Sequence, residues 1–279
     1  MIRKFIAAFA LIFFVTSTAP AEAIKTGVDW DKGLLIEDGL AVGPAKIKDN
    51  KRFYKNFARQ GAQLDALRKL AEHISGLEWL SNDDENVIRT KVSLEEPFMK
   101  IIENGARQIG DAIFSDDGVC TLYMSLPLFG ENSLAQALYL NLKNQAKENF
   151  PQPTIVKDLP ENYTGLIVDC SGFEVYRIFM PKIFYEISEK EAVAVYSPKY
   201  LDFNKIGDTF INQGMVSYVR DMNGATRAGK NPLVVKAVGH RFDFTYISVA
   251  DADKILNANR TSGFLDNAAV VFLCDSFKD

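Results

Sequence analysis

Histidine is scarce in this chain of 279 residues, which holds only His73 and His240. The three cysteines form no CxxC pair, and no histidine or cysteine cluster has the spacing of metal ligands. This composition excludes a zinc site of the usual kind and a CxxC redox centre. It also leaves few side chains that could act as a general base near neutral pH.

The few cysteines are Cys120, Cys170 and Cys274, and each lies in an apolar stretch. Three cysteines cannot all pair within one chain. Burial of each as a small hydrophobic residue is favoured over a disulfide between two of them, although the sequence leaves their redox state open.

An excess of positive charge is also missing, since the formal net charge is −4. A mildly acidic surface gives no electrostatic reason to expect nucleic-acid binding. Apolar residues are spread along the whole length, which is enough for one large or two modest cores. We therefore expect a folded protein whose partners are not nucleic acids.

The N-terminus carries one apolar run, residues 5–15, after Arg3 and Lys4 and before an Ala-Glu-Ala triplet that ends at Ala23. This order predicts a signal peptide over residues 1–23 with cleavage after Ala23. The run is shorter than the roughly 20 apolar residues of a membrane-spanning helix. No lipoprotein cysteine follows it. We expect a periplasmic chain that lacks an integral membrane span once the signal is removed and is at most peripheral to the outer membrane.

The first predicted domain, residues 24–149, alternates strands and helices. Its most regular segment is a helix over residues 50–75 with a core-facing stripe of apolar side chains at helical spacing. That stripe comprises Phe53, Phe57, Leu64, Leu67, Ala71 and Ile74. The other predicted elements are strands 33–42 and 87–92, a helix from Pro97 to Ile109, a hairpin of strands 112–114 and 119–126, and a helix over 134–147. Even-numbered positions from 120 to 126 are predicted to face the core.

Two prolines, Pro151 and Pro153, predict the domain boundary. The second predicted domain, residues 154–279, is rich in strands, at 165–170, 183–187, 192–196, 233–238, 242–247 and 268–274. Helices are predicted at 202–213 and after Ser248, where Asp251 completes a capping-box spacing. The fold class is therefore predicted to be α+β, with a helix and strand layer followed by a strand-rich module.

Several motifs resemble functional sites. Residues 224–230 fit the GxxxxGK spacing of a phosphate loop, but Asn231 and Pro232 precede a strand where such a loop needs a helix. Two acidic clusters, residues 83–85 and 116–118, lack the alternating oxygen ligands of a calcium loop. A flexible loop and solvated turns are the favoured interpretations.

A nucleophile turn at residues 169–172, with His240 as its base, lacks GxSxG geometry. His73 is predicted to be solvated on the polar face of its helix. Asp169 with Lys236 is the first polar pair to inspect, because a buried charge needs a partner. We predict no catalytic, cofactor-binding or metal-binding residue.

The segment from Leu64 to Gly76, with the Val-rich strand, helix and hairpin that follow, resembles the Lpp-twenty family of bacterial envelope lipoproteins. It is also similar to flagellar-assembly proteins of the FlgT and FlgP type. Three later segments resemble the parts that accompany this domain in longer family members: residues 163–169, 181–186 and 231–237. The resemblance implies a periplasmic or outer-membrane-associated protein without enzymatic activity, sometimes tied to flagellar or surface assembly. The missing lipoprotein cysteine separates this chain from that pattern.

The function expected from these features is a non-enzymatic structural or assembly factor of the cell envelope. Its expected partners are envelope proteins, with self-association included, and no cofactor is expected. The alternative is a periplasmic module that holds a small ligand or a cell-wall fragment in a pocket between the domains. A hydrolase built on His240 is the less favoured third hypothesis.

Overall fold

The computed structural model describes residues 24–76, 96–159, 162–188, 191–241 and 244–278. These residues form helices and sheets in an α+β arrangement, which confirms the predicted fold class. The predicted signal peptide, the strand at 87–92 and the acidic cluster at 83–85 lie outside the described residues. Within the part of the chain that is described, no helix combines the length and apolarity needed to cross a bilayer.

The helices and strands follow one another in two groups. The helices are α1 Lys51–Gly76, α2 Glu96–Gly105, α3 Leu134–Leu142, α4 Phe203–Gln213 and α5 Val249–Ser262. The first strands are β1 Gly27–Asp29, β2 Leu34–Val42, β3 Arg107–Phe114 and β4 Val119–Pro127. The later strands are β5 Gly165–Asp169, β6 Glu174–Tyr176, β7 Lys182–Ser188, β8 Glu191–Tyr196, β9 Ser217–Val219, β10 Pro232–Arg241, β11 Phe244–Ile247, β12 Val270–Leu273 and β13 Ser276–Lys278.

The N-terminal layer is an antiparallel sheet of strand order β1-β2-β4-β3 with α1 packed across one face. Alternate residues of β4 are buried towards that face: Cys120, Leu122, Met124 and Leu126. The prediction for these even-numbered positions is confirmed. Their register places Leu126 opposite Leu35 of β2 and Cys120 opposite Ala41, so both strands present one apolar surface to the helix.

The long helix is confirmed, but only half of its predicted core face is: Ile74 is buried and Leu67 and Ala71 pack against the core, whereas the other three residues do not. The side chains of Phe53, Phe57 and Leu64 are 57%, 49% and 69% exposed. The buried stripe instead repeats every four residues and comprises Ala58, Ala62, Ala66, Leu70 and Ile74. Small alanine side chains allow the helix backbone to approach β2 closely, and a Cβ atom at Gly39 would lie 1.8 Å from the Ala62 carbonyl oxygen. Close packing therefore selects the alanine face over the more hydrophobic one.

Helix α2 ends at Gly105, four residues before the predicted end. Strand β3 begins at Arg107, which pairs with Ser125 of β4. Ile109 therefore lies within the strand, opposite Tyr123. A Cβ atom at Gly105 would lie 2.1 Å from the carbonyl oxygen of Asn132, so this tight contact also requires glycine there. The apolar spacing fits a helix, yet the long-range pairing of β3 with β4 overrides it. Helix α3 likewise ends early, at Leu142.

The second group of strands forms a mixed sheet of order β8-β7-β11-β10-β5-β12-β9. Its centre is parallel, since β5 lies between β10 and β12 and β12 pairs with β9. Leu166 and Val168 of β5 face the main core, whereas Ile167 faces Ala225 and Ala228 in short turns on the other side. A separate two-stranded sheet joins β6 to β13. The predicted strands 165–170, 183–187, 192–196, 233–238, 242–247 and 268–274 are confirmed within a few residues.

The two groups share a hydrophobic core, with α3 packed against α4 at their junction. Tyr139 of α3 lies against Gly207 of α4, where a Cβ atom would come within 2.8 Å of its ring. The amide of Gly130 donates to the carbonyl of Ile211 at 2.8 Å. The boundary at residues 150–153 stays a prediction, and the N-terminal layer and the mixed sheet meet through these contacts.

Candidate functional site

Asp169 and Lys236 lie side by side in neighbouring parallel strands, in direct register. Lys236 is exposed and Asp169 is partly exposed, so neither is a buried charge that requires the other. Hydrogen bonds from the Ser171 hydroxyl and amide, together with the charge of Lys236, hold the pKa of Asp169 below its ordinary value. The structure therefore brings this predicted pair together as an ordinary cross-strand pair on the sheet surface.

His240 is held by bonds at both ring nitrogens. Its Nε2 accepts a hydrogen bond from the amide of Tyr176 at 3.3 Å, and its Nδ1 lies 2.9 Å from Oγ1 of Thr245. The Nε2 atom accepts, so the proton sits on Nδ1 and is donated to the threonine. This ring joins β10, β11 and β6, which gives it a structural role.

The prediction that His73 is solvated is wrong. Its Nδ1 lies 2.6 Å from Oε1 of Glu37, and both side chains are partly buried. Two neighbouring contacts between α1 and β2 have the same character: Lys69 bonds Asp38 at 2.8 Å, and Asp65 accepts from the amide of Leu40 at 3.1 Å. The polar edge of α1 is therefore bound to the edge of β2, a pairing that local sequence could not show.

The GxxxxGK segment contains short helical turns and runs into strand β10 at Pro232, as predicted, so it has no helix N-terminus for a phosphate. Its arginine has another role. Arg227 donates from Nε to the Ala268 carbonyl at 2.7 Å, and from Nη2 and Nη1 to the carbonyls of Gly214 and Gln213 at 2.9 and 3.4 Å. Desolvation lowers the pKa of this guanidinium. Arg227 thus satisfies carbonyls at the C-terminal end of α4.

The predicted hairpin turn at residues 115–118 is confirmed as a turn. The Ser115 hydroxyl donates to the Asp117 carboxylate, which lowers the pKa of Asp117, and Gly118 adopts a positive φ of 88°. Over the described ranges, no group of three or more histidine, cysteine, aspartate or glutamate side chains is placed to hold a metal ion.

A concave site lies where the N-terminal layer meets the mixed sheet, and we call it the interlayer cleft. Its volume is about 210 Å³. The lining residues are Trp30, Phe129, Arg177, Ile178, Gln213, Gly214, Val216, Ser217 and Tyr218. Trp30 and Phe129 come from the N-terminal layer, and the others come from the mixed-sheet half.

The aromatic walls of the interlayer cleft are fixed by their own packing. Phe179 lies beneath them, with its ring centroid 5.2 Å from that of Trp30 and 5.0 Å from that of Phe129. The Tyr218 hydroxyl donates to the carbonyl of Ile178 at 3.0 Å and accepts from its amide at 3.1 Å. Side chains that are held by packing and hydrogen bonds in this way form a preorganised binding surface.

Two arginines pack on one aromatic ring at one side of the interlayer cleft. The Arg177 guanidinium bonds the exposed carboxylate of Asp31 at 2.6 Å and stacks 4.8 Å from the centroid of the Phe277 ring. Arg220 stacks on the same ring, also at 4.8 Å. The charge of Arg177 is paired with Asp31, and its side chain is only 9% exposed, so this side of the cleft holds an ion pair and not a free cation.

A second feature of the surface is the outer stripe of α1, defined as Phe53, Phe57 and Leu64. These residues lie at spacings of four and seven on the face of the helix that points away from β2. Lys55 lies on the opposite, sheet-facing side of α1, with its ammonium 4.9 Å from the ring centroid of Phe114 in β3. The spacing of these three residues predicted burial, and the structure shows them exposed instead. The cleft had no such signal, because its residues come from four separate segments of the chain.

The fold is thus an antiparallel layer joined to a mixed sheet, with a small aromatic cleft at the junction. Residues 165–276 match a family model described as the second domain of Treponema pallidum Tp0624. The match begins where β5 begins and ends at the start of β13, so it covers the mixed sheet and less than half of the chain. A comparison with curated proteins gives no match.

Proposed function

We propose that this chain is an exported, non-enzymatic protein of the cell envelope that acts as a structural or assembly factor by binding other envelope components. The signal-like N-terminus and the resemblance to Lpp-twenty and flagellar-assembly proteins support the compartment and the class. The outer stripe of α1 carries the binding part of the proposal. Partners at the outer membrane or at flagellar structures are the finer form of the same proposal.

The outer stripe is more apolar than a solvated helix face needs to be. Two phenylalanines and a leucine lie within one narrow sector of α1, while small alanines fill the buried face. An exposed stripe of this kind leaves apolar surface in water, at a cost of roughly 25 cal/mol per Å². Exposed apolar residues grouped on one helix face are a feature of protein contact sites.

The first test replaces Phe57 and Leu64 together by aspartate. Both side chains are exposed, so we expect the melting temperature to fall by less than about 3 °C. Capture of envelope partners by photo-crosslinkers placed at Asn56 and Gln60, which are exposed and lie three residues after Phe53 and Phe57, is expected to fall about tenfold or more, as at an interface hot spot. Mass spectrometry of the crosslinked species measures this loss.

Met99→Asp provides a matched control, because Met99 is an exposed apolar residue on another helix. Crosslinking should be retained in that variant. A wild-type chain that stays monomeric and yields no envelope crosslink from positions around the stripe would contradict the proposal.

A ligand-binding module is the second candidate, and the interlayer cleft favours it. Aromatic rings stack against sugar rings, and a carboxylate of a cell-wall fragment would take the place of Asp31 as the partner of Arg177. However, about 210 Å³ is smaller than the roughly 300–1,000 Å³ of typical ligand pockets. The cleft suits a single sugar ring or a chain end, and this size places the ligand-binding hypothesis second.

Trp30 can report on ligand binding to the cleft. The chain has two tryptophans, so Trp79→Phe leaves Trp30 as the only one. Titration of that variant with a purified disaccharide–peptide wall fragment is expected to change Trp30 fluorescence with a Kd below about 1 mM. Arg177→Gln should weaken this binding about tenfold, whereas Lys32→Gln, which removes an exposed cation from the loop that carries Trp30, should not. An unchanged spectrum up to millimolar ligand would rule this candidate out.

A further inference from the structure

Cys170 and Cys274 follow directly after two neighbouring parallel strands. In the register of β5 and β12, Leu166 lies beside Val270 and Val168 beside Phe272. The amide of Cys170 donates to the carbonyl of Leu273 at 2.8 Å, so the register continues past the strand ends. The next matched position places Cys170 beside Cys274.

This placement fits the geometry of a disulfide. Neighbouring strands lie about 4.7–4.9 Å apart, and bonded cysteines have Cα atoms about 4.4–6.8 Å apart. In-register residues of parallel strands point to the same face, and both cysteines belong to the main core with no exposed surface. Their thiols are in hydrogen-bonding contact.

We propose that Cys170 and Cys274 form a disulfide bond when the chain folds in an oxidising compartment. Both S–H bonds break and one S–S bond forms, while two protons and two electrons pass to the disulfide of an exported thiol oxidase, which becomes a dithiol. The inference rests on the export part of the proposed function, because thiol-reducing systems of the cytoplasm oppose the bond.

The surroundings determine when the bond can form. The hydrogen bond with Cys274 and the burial of the site raise the pKa of Cys170 far above its ordinary value. A folded, reduced chain therefore presents almost no thiolate, the form that attacks a disulfide. Gly172 and Asp275 close to the pair are exposed, but both cysteines themselves are fully buried. We therefore expect oxidation during folding, before the core closes over the two sulfur atoms.

Cys120 is not an alternative partner. It lies in β4 of the other sheet, between Ala41 and Phe114, and is fully buried there. Burial raises the pKa of its thiol, and it remains a packing residue. The oxidised chain should consequently contain one free thiol.

The test compares the full chain refolded with oxidised glutathione and the same chain refolded with a reductant. The oxidised, denatured chain should show one free thiol and the reduced chain three. Trypsin should release residues 158–177 joined to residues 261–278, at the summed mass less two hydrogen atoms, while the Cys120 peptide, residues 108–143, stays free. Three free thiols after oxidative refolding, or linkage through Cys120, would overturn the inference.

The bond should also raise thermal stability. The oxidised wild-type chain is expected to melt about 5–10 °C above the reduced chain. Cys120→Ser should keep this difference, whereas Cys170→Ser should abolish it. Because each variant is compared with itself under reducing conditions, packing changes from the substitution cancel.

A final arm uses cells whose thiols are blocked with an alkylating agent before lysis. Linked peptides in chain recovered from the periplasmic fraction support the inference, and free thiols in that fraction overturn it. If the chain is found only in the cytoplasm, the proposed export fails, and the refolding experiment alone decides the disulfide.

Discussion

Replacement of Gly39 by valine is expected to unfold the N-terminal layer, because α1 leaves no room for a side chain there. A Cβ atom at Gly39 would lie 1.8 Å from the Ala62 carbonyl oxygen and 2.6 Å from the Ala66 amide nitrogen. Both are backbone atoms, so relief requires the whole helix to move off β2. Overpacking usually costs about 1–3 kcal/mol, and a backbone clash of this depth should cost about 4 kcal/mol or more.

Urea unfolding followed by circular dichroism measures this change. Gly239→Val is the matched control, since a Cβ atom there meets only the side chain of Tyr246, at 3.7 Å. That control should change the free energy of unfolding by less than about 1 kcal/mol, because valine suits a strand. Equal stability of the Gly39 variant and the wild type would show that α1 does not contact β2 this closely.

Replacement of Arg227 by methionine is expected to lower the free energy of unfolding by about 3–5 kcal/mol. Methionine retains much of the aliphatic volume but leaves the carbonyls of Gln213, Gly214 and Ala268 without their shared donor. These carbonyls include the C-terminal end of α4, where a positive charge is favourable. Arg227→Lys should recover only part of the loss, since one ammonium cannot reproduce the planar set of donors.

Arg220→Met tests whether loss of any arginine has this effect. Arg220 is exposed, and its hydrogen bond to the carbonyl of Asp275 is long, at 3.5 Å. Its removal should change the free energy of unfolding by less than about 1 kcal/mol. Similar losses in the two variants would contradict a specific role for Arg227.

The elements could be located from sequence because their signals are local. Strand β4 shows strict alternation, and Ser248 accepts from the amide of Asp251 at 3.0 Å, as the capping-box spacing predicted. Helix α4 begins after Asp202, whose side chain accepts from the amide of Asn204. In each case, residues within a few positions supply the signal.

The choice of buried face was not local. In α1, hydrophobicity favoured Phe53 and Phe57, but the surface of β2 has glycine at Gly39 and accepts only a helix with small side chains. A sequence pattern shows that a helix has an apolar face, and the partner surface decides which face is buried. The same reason explains His73, whose partner Glu37 lies in a different element.

The candidate site could not be assembled from sequence at all. Trp30, Phe129, Arg177 and Tyr218 are far apart in the chain, and none belongs to a known motif. Asp169 and Lys236 formed a predicted pair, and the parallel register of β5 and β10 makes them neighbours. The parallel register of β5 and β12 places Cys170 beside Cys274, which no spacing along the chain could reveal.

The sequence by itself determined the α+β class, the positions of most helices and strands, and the absence of a recognisable catalytic motif. Only the tertiary structure decided the alanine face of α1, the parallel centre of the mixed sheet, the interlayer cleft and the apposed cysteines. The reason is physical: periodicity and capping depend on residues within a few positions of each other. Packing depth and strand register depend on surfaces that meet only when distant segments are brought together.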